Sequence, residues 1–175
     1  MNWDYYFIYD AGSGNLIWKP RPMADFASSM VGVLWNAQHV GTVAGHRNRN
    51  RSGHPKAINV RLPVGIRKAH RIIYEMMVGP IPPGVLIDHK DGNPWNNRLE
   101  NLRLATHAQN LCNKSVRPDN KVGLKGVDLY RGRYRAQIKV NGKSIHLGLF
   151  GTPELAHDAY CKASKEYHGE FSRTN

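Results

Sequence analysis

The sequence has little cysteine and no long apolar run, and both absences narrow the kinds of protein that it can encode. Its 175 residues include two cysteines, Cys112 and Cys161, which lie far apart and form no CxxC pair. A disulfide framework or a zinc ribbon is therefore not expected, and reduced thiols in a cytosol are the default. No run of about 18 apolar residues is present, so no membrane-spanning helix is predicted.

The beginning of the sequence also lacks the pattern of a secretory signal. It runs MNWDYYFIYDAGSG, in which no basic segment precedes an apolar one. We therefore expect no secretion and a cytoplasmic protein. Binding to a membrane surface is not favoured either, because no basic amphipathic helix is visible.

Acidic residues are scarce, and none occurs between Asp25 and Glu75. Lys and Arg together number 25 against 13 Asp and Glu, which gives a formal net charge of +12. The acid-free interval contains HRNRNRSGHPK, where Arg47, Arg49 and Arg51 alternate with uncharged polar residues. This excess of positive charge predicts a polyanionic partner, most simply nucleic acid, although a merely basic surface is the alternative.

Residues 1–66 are predicted to form a β-rich region. Apolar segments separated by AGSG predict a hairpin over residues 5–19, and alternating residues predict a second hairpin within 57–70. Apolar residues mixed with glycines over 31–45 favour short strands. The interval 46–56 has almost no apolar residue and is expected to be an exposed loop.

The next segment places polar side chains at the ends of short predicted elements. A helix over residues 70–79 ends in glycine, and a strand over 85–89 ends in Asp88 and His89. A polar loop follows, then a short extended piece and a helix that begins after Thr106 as its N-cap.

These polar residues are suited to hydrolytic chemistry. Successive side chains of a strand point to opposite faces, so Asp88 can hold a metal while His89 faces an attacking water. Asn110 on the next helix could return to the same point, and Asn101 could orient the imidazole. Carboxylate and amide oxygens suit Mg²⁺ or Mn²⁺. Histidine can accept a proton from water near neutral pH.

Several fixed-spacing pieces of this segment carry a family resemblance. They are the His70-Arg71 pair, the run DHKDGN, the run NNRLENLR and the ending QN..N. Together they resemble an HNH endonuclease of the type common in phage-borne, free-standing homing endonucleases. The resemblance implies a ββα-metal fold and cleavage of DNA. Within it, Asp88 and Asn110 match metal ligands, His89 the general base, and Asn101 the residue that supports the loop and aligns the base.

Other residues match the family at positions with less defined roles. Asn97, Arg98 and Arg103 are expected to have structural or phosphate-contact roles, and no role is assigned to His70.

The last third of the chain predicts a second DNA-binding element. Three strands over 123–130, 133–140 and 143–150 are joined by Arg-Gly and Asn-Gly turns, and a helix over 152–169 has Thr152 as its N-cap. The middle strand places Arg133, Arg135, Gln137 and Lys139 on one predicted face. Such a face suits a DNA groove, although a solvated sheet face is the alternative.

The motifs KGV, RAQI, IHLGLF.T.E.A..AY and GEF in this region resemble an AP2 DNA-binding domain. The resemblance implies a sheet that lies in the major groove. Asp128 stands where the plant members usually have arginine, and His146 where they often have tryptophan, so their target sequence is not inherited. The positions that match DNA contacts are Lys125, Tyr130, Arg131, Arg133, Arg135, Gln137, Lys139, Lys143 and His146.

We therefore expect an α+β protein with a β-rich region over 1–66, an HNH module over 67–114, a linker over 115–121 and an AP2-like domain over 122–175. The expected activity is hydrolysis of phosphodiester bonds in double-stranded DNA with one Mg²⁺ or Mn²⁺ per site. No partner protein is implied, a monomer is favoured over a dimer, and a phage protein would act in its host's cytoplasm. The alternative is a DNA-binding regulator of the AP2 type with an inactive HNH module.

Overall fold

The computed structural model describes residues 2–117 and 119–174. Pro118, which the sequence places in the predicted linker, lies outside the described residues. By packing, the chain divides into two compact units, Met1–Leu104 and Ala105–Asn175. The division falls inside the predicted HNH module, just before its last helix, and the four-part organisation stays a prediction.

The described residues of the first unit form three small sheets and two α-helices, and the first two sheets are antiparallel. Strands β1 and β2 form one hairpin, β3, β4 and β5 form a three-stranded sheet, and β6 pairs with β7. A single core of aromatic and branched side chains includes Phe7, Leu16, Val60, Ile72 and Ile73. The element bounds are β1 Phe7–Asp10, β2 Asn15–Trp18, α1 Ser29–His39, β3 His46–Arg49, β4 Pro55–Leu62, β5 Gly65–Lys68, α2 Ala69–Met77, β6 Leu86–His89 and β7 Leu102–Ala105.

The prediction of short strands over residues 31–45 is wrong, because α1 occupies most of this interval. The Ser28 side chain accepts a hydrogen bond from the Val31 N–H and caps the helix. Gly32 lies so close to Met23 and Phe26 that an added Cβ would fall 2.6 Å from the Met23 sulfur. The glycine permits close packing on a helix here, whereas the sequence suggested that it interrupts strands.

The interval 46–56 is also more ordered than predicted. Its first residues form β3, which pairs with β4 through His46 opposite Asn59 and Arg47 opposite Ile58. A strand at a sheet edge needs no apolar side chains to form its backbone ladder, and charge on it discourages pairing with other chains. Both predicted hairpins and the helix that ends before Gly79 are confirmed.

The second unit begins with a short helix and contains an antiparallel sheet with one long helix. Its elements are α3 His107–Cys112, β8 Val127–Tyr130, β9 Arg133–Val140, β10 Lys143–Phe150 and α4 Pro153–His168. The sheet order is β10-β9-β8, and Ala136 and Ile138 of β9 are buried with Ala156 and Tyr160 of α4. These strands and α4 confirm the elements predicted from the sequence. Both units mix helices and strands, as expected for an α+β protein.

Among the described residues, no helix has the length and apolar character needed to cross a bilayer.

Candidate active site

Asp88 and His89 lie at the end of β6 and are both buried, with exposed fractions of 5% and 8%. The preceding Ile87 joins the apolar core of the first unit, which fixes the strand below the two polar residues. Buried charged and polar groups require partners, because desolvation disfavours them. The contacts of these two side chains therefore define the local chemistry.

The Asp88 carboxylate forms an ion pair with Arg103 on β7. The Arg103 Nε lies 2.9 Å from Asp88 Oδ2, and the side chains are 10% and 5% exposed. The guanidinium neutralises the carboxylate in a site largely removed from water and fixes its orientation. The structural role expected for Arg103 is thus a direct contact with the predicted metal ligand.

The His89 imidazole is held by Asn97. The His89 Nε2 lies 2.9 Å from Asn97 Oδ1, and Asn97 is 1% exposed. With the amide oxygen as acceptor, Nε2 carries the proton and the basic lone pair is on Nδ1. Burial lowers the pKa of His89, against the opposite effects of the Asn97 hydrogen bond and the charges of Asp91 and Asp88. His89 is therefore neutral near pH 7, the state required of a general base.

Asn101 acts on the loop that follows β6. Its Oδ1 accepts a hydrogen bond from the Asp91 N–H at 3.0 Å, and its Nδ2 donates to Asp91 Oδ1 at 2.9 Å and to the Asn96 carbonyl at 2.8 Å. The amide in contact with the imidazole is that of Asn97, so alignment of the base by Asn101 would run through the loop. The sequence matched Asn97 to the family without linking it to His89, because nothing in the spacing shows which asparagine faces the ring.

His70, at the start of α2, packs edge-on against His89. The ring centroids are 5.0 Å apart and the rings are nearly perpendicular at 86°. His70 is 7% exposed, and its Nδ1 has no hydrogen-bond partner. Burial, followed by electrostatic repulsion from protonated His89 and from Lys68 and Arg71, lowers the pKa of His70 to about 3. The ring is therefore neutral near pH 7, and it forms one wall of the site.

The buried histidine predicts a specific loss of stability in mild acid. Since the unfolded chain titrates His70 near 6.5 and the folded chain near 3, the stability it contributes is complete above pH 6.5 and falls as the pH drops toward 3. At pH 5 the loss is about 2 kcal/mol of unfolding free energy. His70→Phe keeps the edge-on ring and removes the titration, so urea unfolding at pH 8 and pH 5 should show a smaller loss than in wild type. Equal losses in the two proteins would contradict this assignment.

The second predicted metal ligand, Asn110, lies on α3 in the second unit. Thr106 caps this helix through its side chain, and Gln109 completes a reciprocal capping box. The convergence of Asn110 with Asp88 stays a prediction. In the described part of the chain, no cluster of three or more His, Cys, Asp or Glu side chains could hold a metal. The predicted oxygen donors, one carboxylate and one amide, are of the type that Mg²⁺ and Mn²⁺ accept.

The basic hairpin of the first unit packs on the same loop that carries Asn97. The guanidinium carbons of Arg47 and Arg49 lie 5.4 Å and 4.5 Å from the centre of the Trp95 ring. The Trp95 indole N–H donates to the Lys56 carbonyl at 2.8 Å, and Arg51 is exposed in the intervening turn. The hairpin thus places positive charge beside the loop that positions His89.

The predicted DNA-contact residues of the second unit divide into three groups. Lys143 pairs with Val140 at the end of the β9–β10 hairpin, so it lies on the same face of the sheet as the buried residues of β9. Arg131 occupies the β8–β9 turn with a φ of 50°. The Lys125 ammonium donates to the carbonyls of Cys112 at 2.6 Å and Arg173 at 2.7 Å. One sheet face, turned away from α4, carries Tyr130, Arg133, Arg135, Gln137, Lys139 and His146.

Lys125 is thus bonded within its own unit, a role that the motif KGV did not predict. Burial lowers the pKa of Lys125 to about 8. The two carbonyls occupy two of the three N–H donors of the ammonium.

Comparisons with known proteins give one family match and two viral relatives. A sequence model of the HNH endonuclease family matches residues 67–112. An HNH endonuclease of Acanthamoeba polyphaga mimivirus, itself uncharacterised, is 36% identical over 126 residues, which cover 71% of this chain and 64% of that protein. Protein 3.8 of Escherichia phage T7 is 36% identical over 108 residues, which cover 61% of this chain and 88% of protein 3.8.

No solved structure matches the chain. The comparisons confirm the HNH part of the resemblance, while the AP2 part stays a prediction. With the HNH match centred on the buried Asp88 and His89, the chain belongs to the HNH endonuclease family.

Proposed function

We propose that this protein is a DNA endonuclease that hydrolyses phosphodiester bonds with one divalent metal ion per site, and that its second unit directs it to DNA. The observation that carries the proposal is the buried, neutral His89 held by Asn97 beside the Asp88 carboxylate. The relative in Escherichia phage T7 supports a phage-type protein, and the proposed enzyme is free-standing and of the homing kind.

His89 acts as the general base in this proposal. The Asn97 amide keeps the proton on Nε2, so Nδ1 is the nitrogen that takes a proton from the attacking water in this proposal. Asn101 fixes the loop that carries Asn97, so the orientation of the ring is set before substrate binds. His70 covers one side of the ring and excludes water from it.

Asp88 and Asn110 are the residues that would hold Mg²⁺ or Mn²⁺. The Arg103 Nε lies 2.9 Å from Oδ2 of Asp88, so the carboxylate orientation is fixed by a partner that a cation must share or displace. When bound, such an ion polarises the phosphate and stabilises the departing oxygen.

DNA binding rests on two basic surfaces, each within its own unit. One is the β3–β4 hairpin with Arg47, Arg49 and Arg51, and the other is the sheet face with Arg133, Arg135, Gln137 and Lys139. Phosphate contacts of this kind release counterions, so affinity should fall steeply with salt. Lys125 is not included, because its ammonium is bonded to two carbonyls.

Incubation of the full-length protein with supercoiled plasmid tests the proposal. In Mg²⁺ we expect conversion to open circles or linear DNA, and in EDTA we expect none, because the proposed chemistry needs the divalent ion. The plasmid carries DNA from the source genome, so that a cognate site is present. Cutting that persists in EDTA would overturn the metal-dependent mechanism. Tight, salt-sensitive binding without cutting would favour a DNA-binding regulator with an inactive HNH module.

A further inference from the structure

One acidic side chain interrupts the basic sheet face of the second unit. Asp128 on β8 lies directly opposite Arg135 on β9, and both point away from the helix α4. The Arg135 Nε and Nη2 donate to the two carboxylate oxygens of Asp128 at 3.1 Å and 2.6 Å. A carboxylate on a surface that meets phosphates weakens binding by repulsion, so its presence calls for a specific role.

The pair holds Arg135 by one edge of its guanidinium. The Arg135 Cζ also lies 4.8 Å from the centre of the Tyr130 ring, which restricts the plane of the group. A guanidinium carries five N–H donors, and the contact with Asp128 uses those on Nε and one on Nη2. The outer edge, formed by Nη1 and Nη2, remains as a two-donor fork.

This geometry matches one base better than the others. In the major groove, guanine presents two adjacent acceptors, O6 and N7, and the paired donors of an arginine meet both. Adenine offers one acceptor beside a donor, so the same fork cannot satisfy it. Because Asp128 and Tyr130 fix the group in advance, little side-chain freedom is lost when it binds.

We propose that Asp128 is a specificity-determining residue that orients Arg135 to recognise a guanine in duplex DNA. The proposal rests on the proposed DNA-binding function and adds the base that one position of the site must contain. Neighbouring Gln137 lies 3.5 Å from the same carboxylate, too far for a strong hydrogen bond, and is not needed for this role.

The variant Asp128→Asn distinguishes an effect of Asp128 on the orientation of Arg135 from an effect of its negative charge on DNA affinity. The asparagine keeps the size of the side chain and removes its negative charge, so binding to random DNA should become tighter. Preference for guanine at the Arg135 position should fall, because a neutral amide no longer fixes the guanidinium. If Asp128 acted only through charge, affinity would rise equally for all sequences and the preference would stay.

The test is selection from a random duplex pool with the full-length protein in EDTA, where the proposed metal-dependent cleavage does not occur. Four proteins are compared: wild type, Asp128→Asn, Arg135→Lys, and Asp158→Asn as a control with the same charge change at an exposed position of α4. Competition binding then measures the preference for guanine over adenine at the enriched position. We expect roughly 5- to 150-fold for wild type and Asp158→Asn. The other two variants should lose most of this preference.

Each of the other possible outcomes would overturn one part of the proposal. An enriched motif that Asp128→Asn leaves unchanged would overturn the role of Asp128. DNA binding without any guanine preference in wild type would overturn the whole inference and leave the nuclease proposal standing. Failure of wild type to bind any DNA would instead overturn the proposed function itself.

Discussion

A His89→Ala chain is expected to cleave plasmid DNA about 100- to 10,000-fold more slowly than wild type, which is the usual contribution of a positioned acid–base group. The imidazole is buried, neutral and bonded through Nε2 to Asn97, which makes it an oriented base. Alanine supplies no group that could accept the proton in its place. Binding to the same DNA should be unchanged, because the basic surfaces lie elsewhere in the sequence. The rate of plasmid relaxation and a gel-shift titration measure the two quantities.

His107→Ala is the matched control for this variant. His107 is an exposed histidine at the first position of α3, with no predicted role in the chemistry. It should cleave at the wild-type rate. A His89→Ala protein that still folds and cuts at a comparable rate would show that another group activates the water, whereas equal losses in both variants would indicate damage to folding.

The sequence predicted β9, β10 and α4 closely because local signals agreed there. An Asn-Gly turn, strict alternation along Arg133–Val140 and a Thr-Pro helix start all favour the same elements. The Asp-His pair at the end of β6 was likewise accessible, since an apolar strand ends abruptly in polar residues. In these cases neighbouring residues contain the necessary information.

Other features depend on contacts between distant residues and escaped prediction. Helix α1 exposes Met30, Val33 and Leu34, so its apolar residues gave no sign of one buried helical face. The bond of Asn97 to His89 depends on how the loop folds back, which several equivalent asparagines made ambiguous. The ammonium of Lys125 donates to two carbonyls that are distant in sequence, whereas the AP2 resemblance matched this residue to a DNA contact.

Replacing Arg103 by alanine is expected to lower the free energy of unfolding by about 3–5 kcal/mol, because it removes the ion-pair partner of the buried Asp88 carboxylate. Asp88 and Arg103 are 5% and 10% exposed, so solvent replaces little of the lost interaction. Arg135→Ala provides the comparison, since its pair with Asp128 is 31% and 40% exposed and should contribute far less to stability. Urea unfolding of each variant measures both effects.

The charge of Asp88 can be tested within the same series. If the buried carboxylate causes the loss, Asp88→Asn in the Arg103→Ala background should restore part of the stability, because an amide costs less to bury than a charge. Mg²⁺ should also restore part of it in Arg103→Ala and not in the double variant, since a ligand that binds only the folded state stabilises that state. A loss below about 1 kcal/mol for Arg103→Ala would contradict the ion pair as a structural contact. Recovery with Asp88→Asn but none with Mg²⁺ would retain the ion pair and argue against Asp88 as a metal ligand.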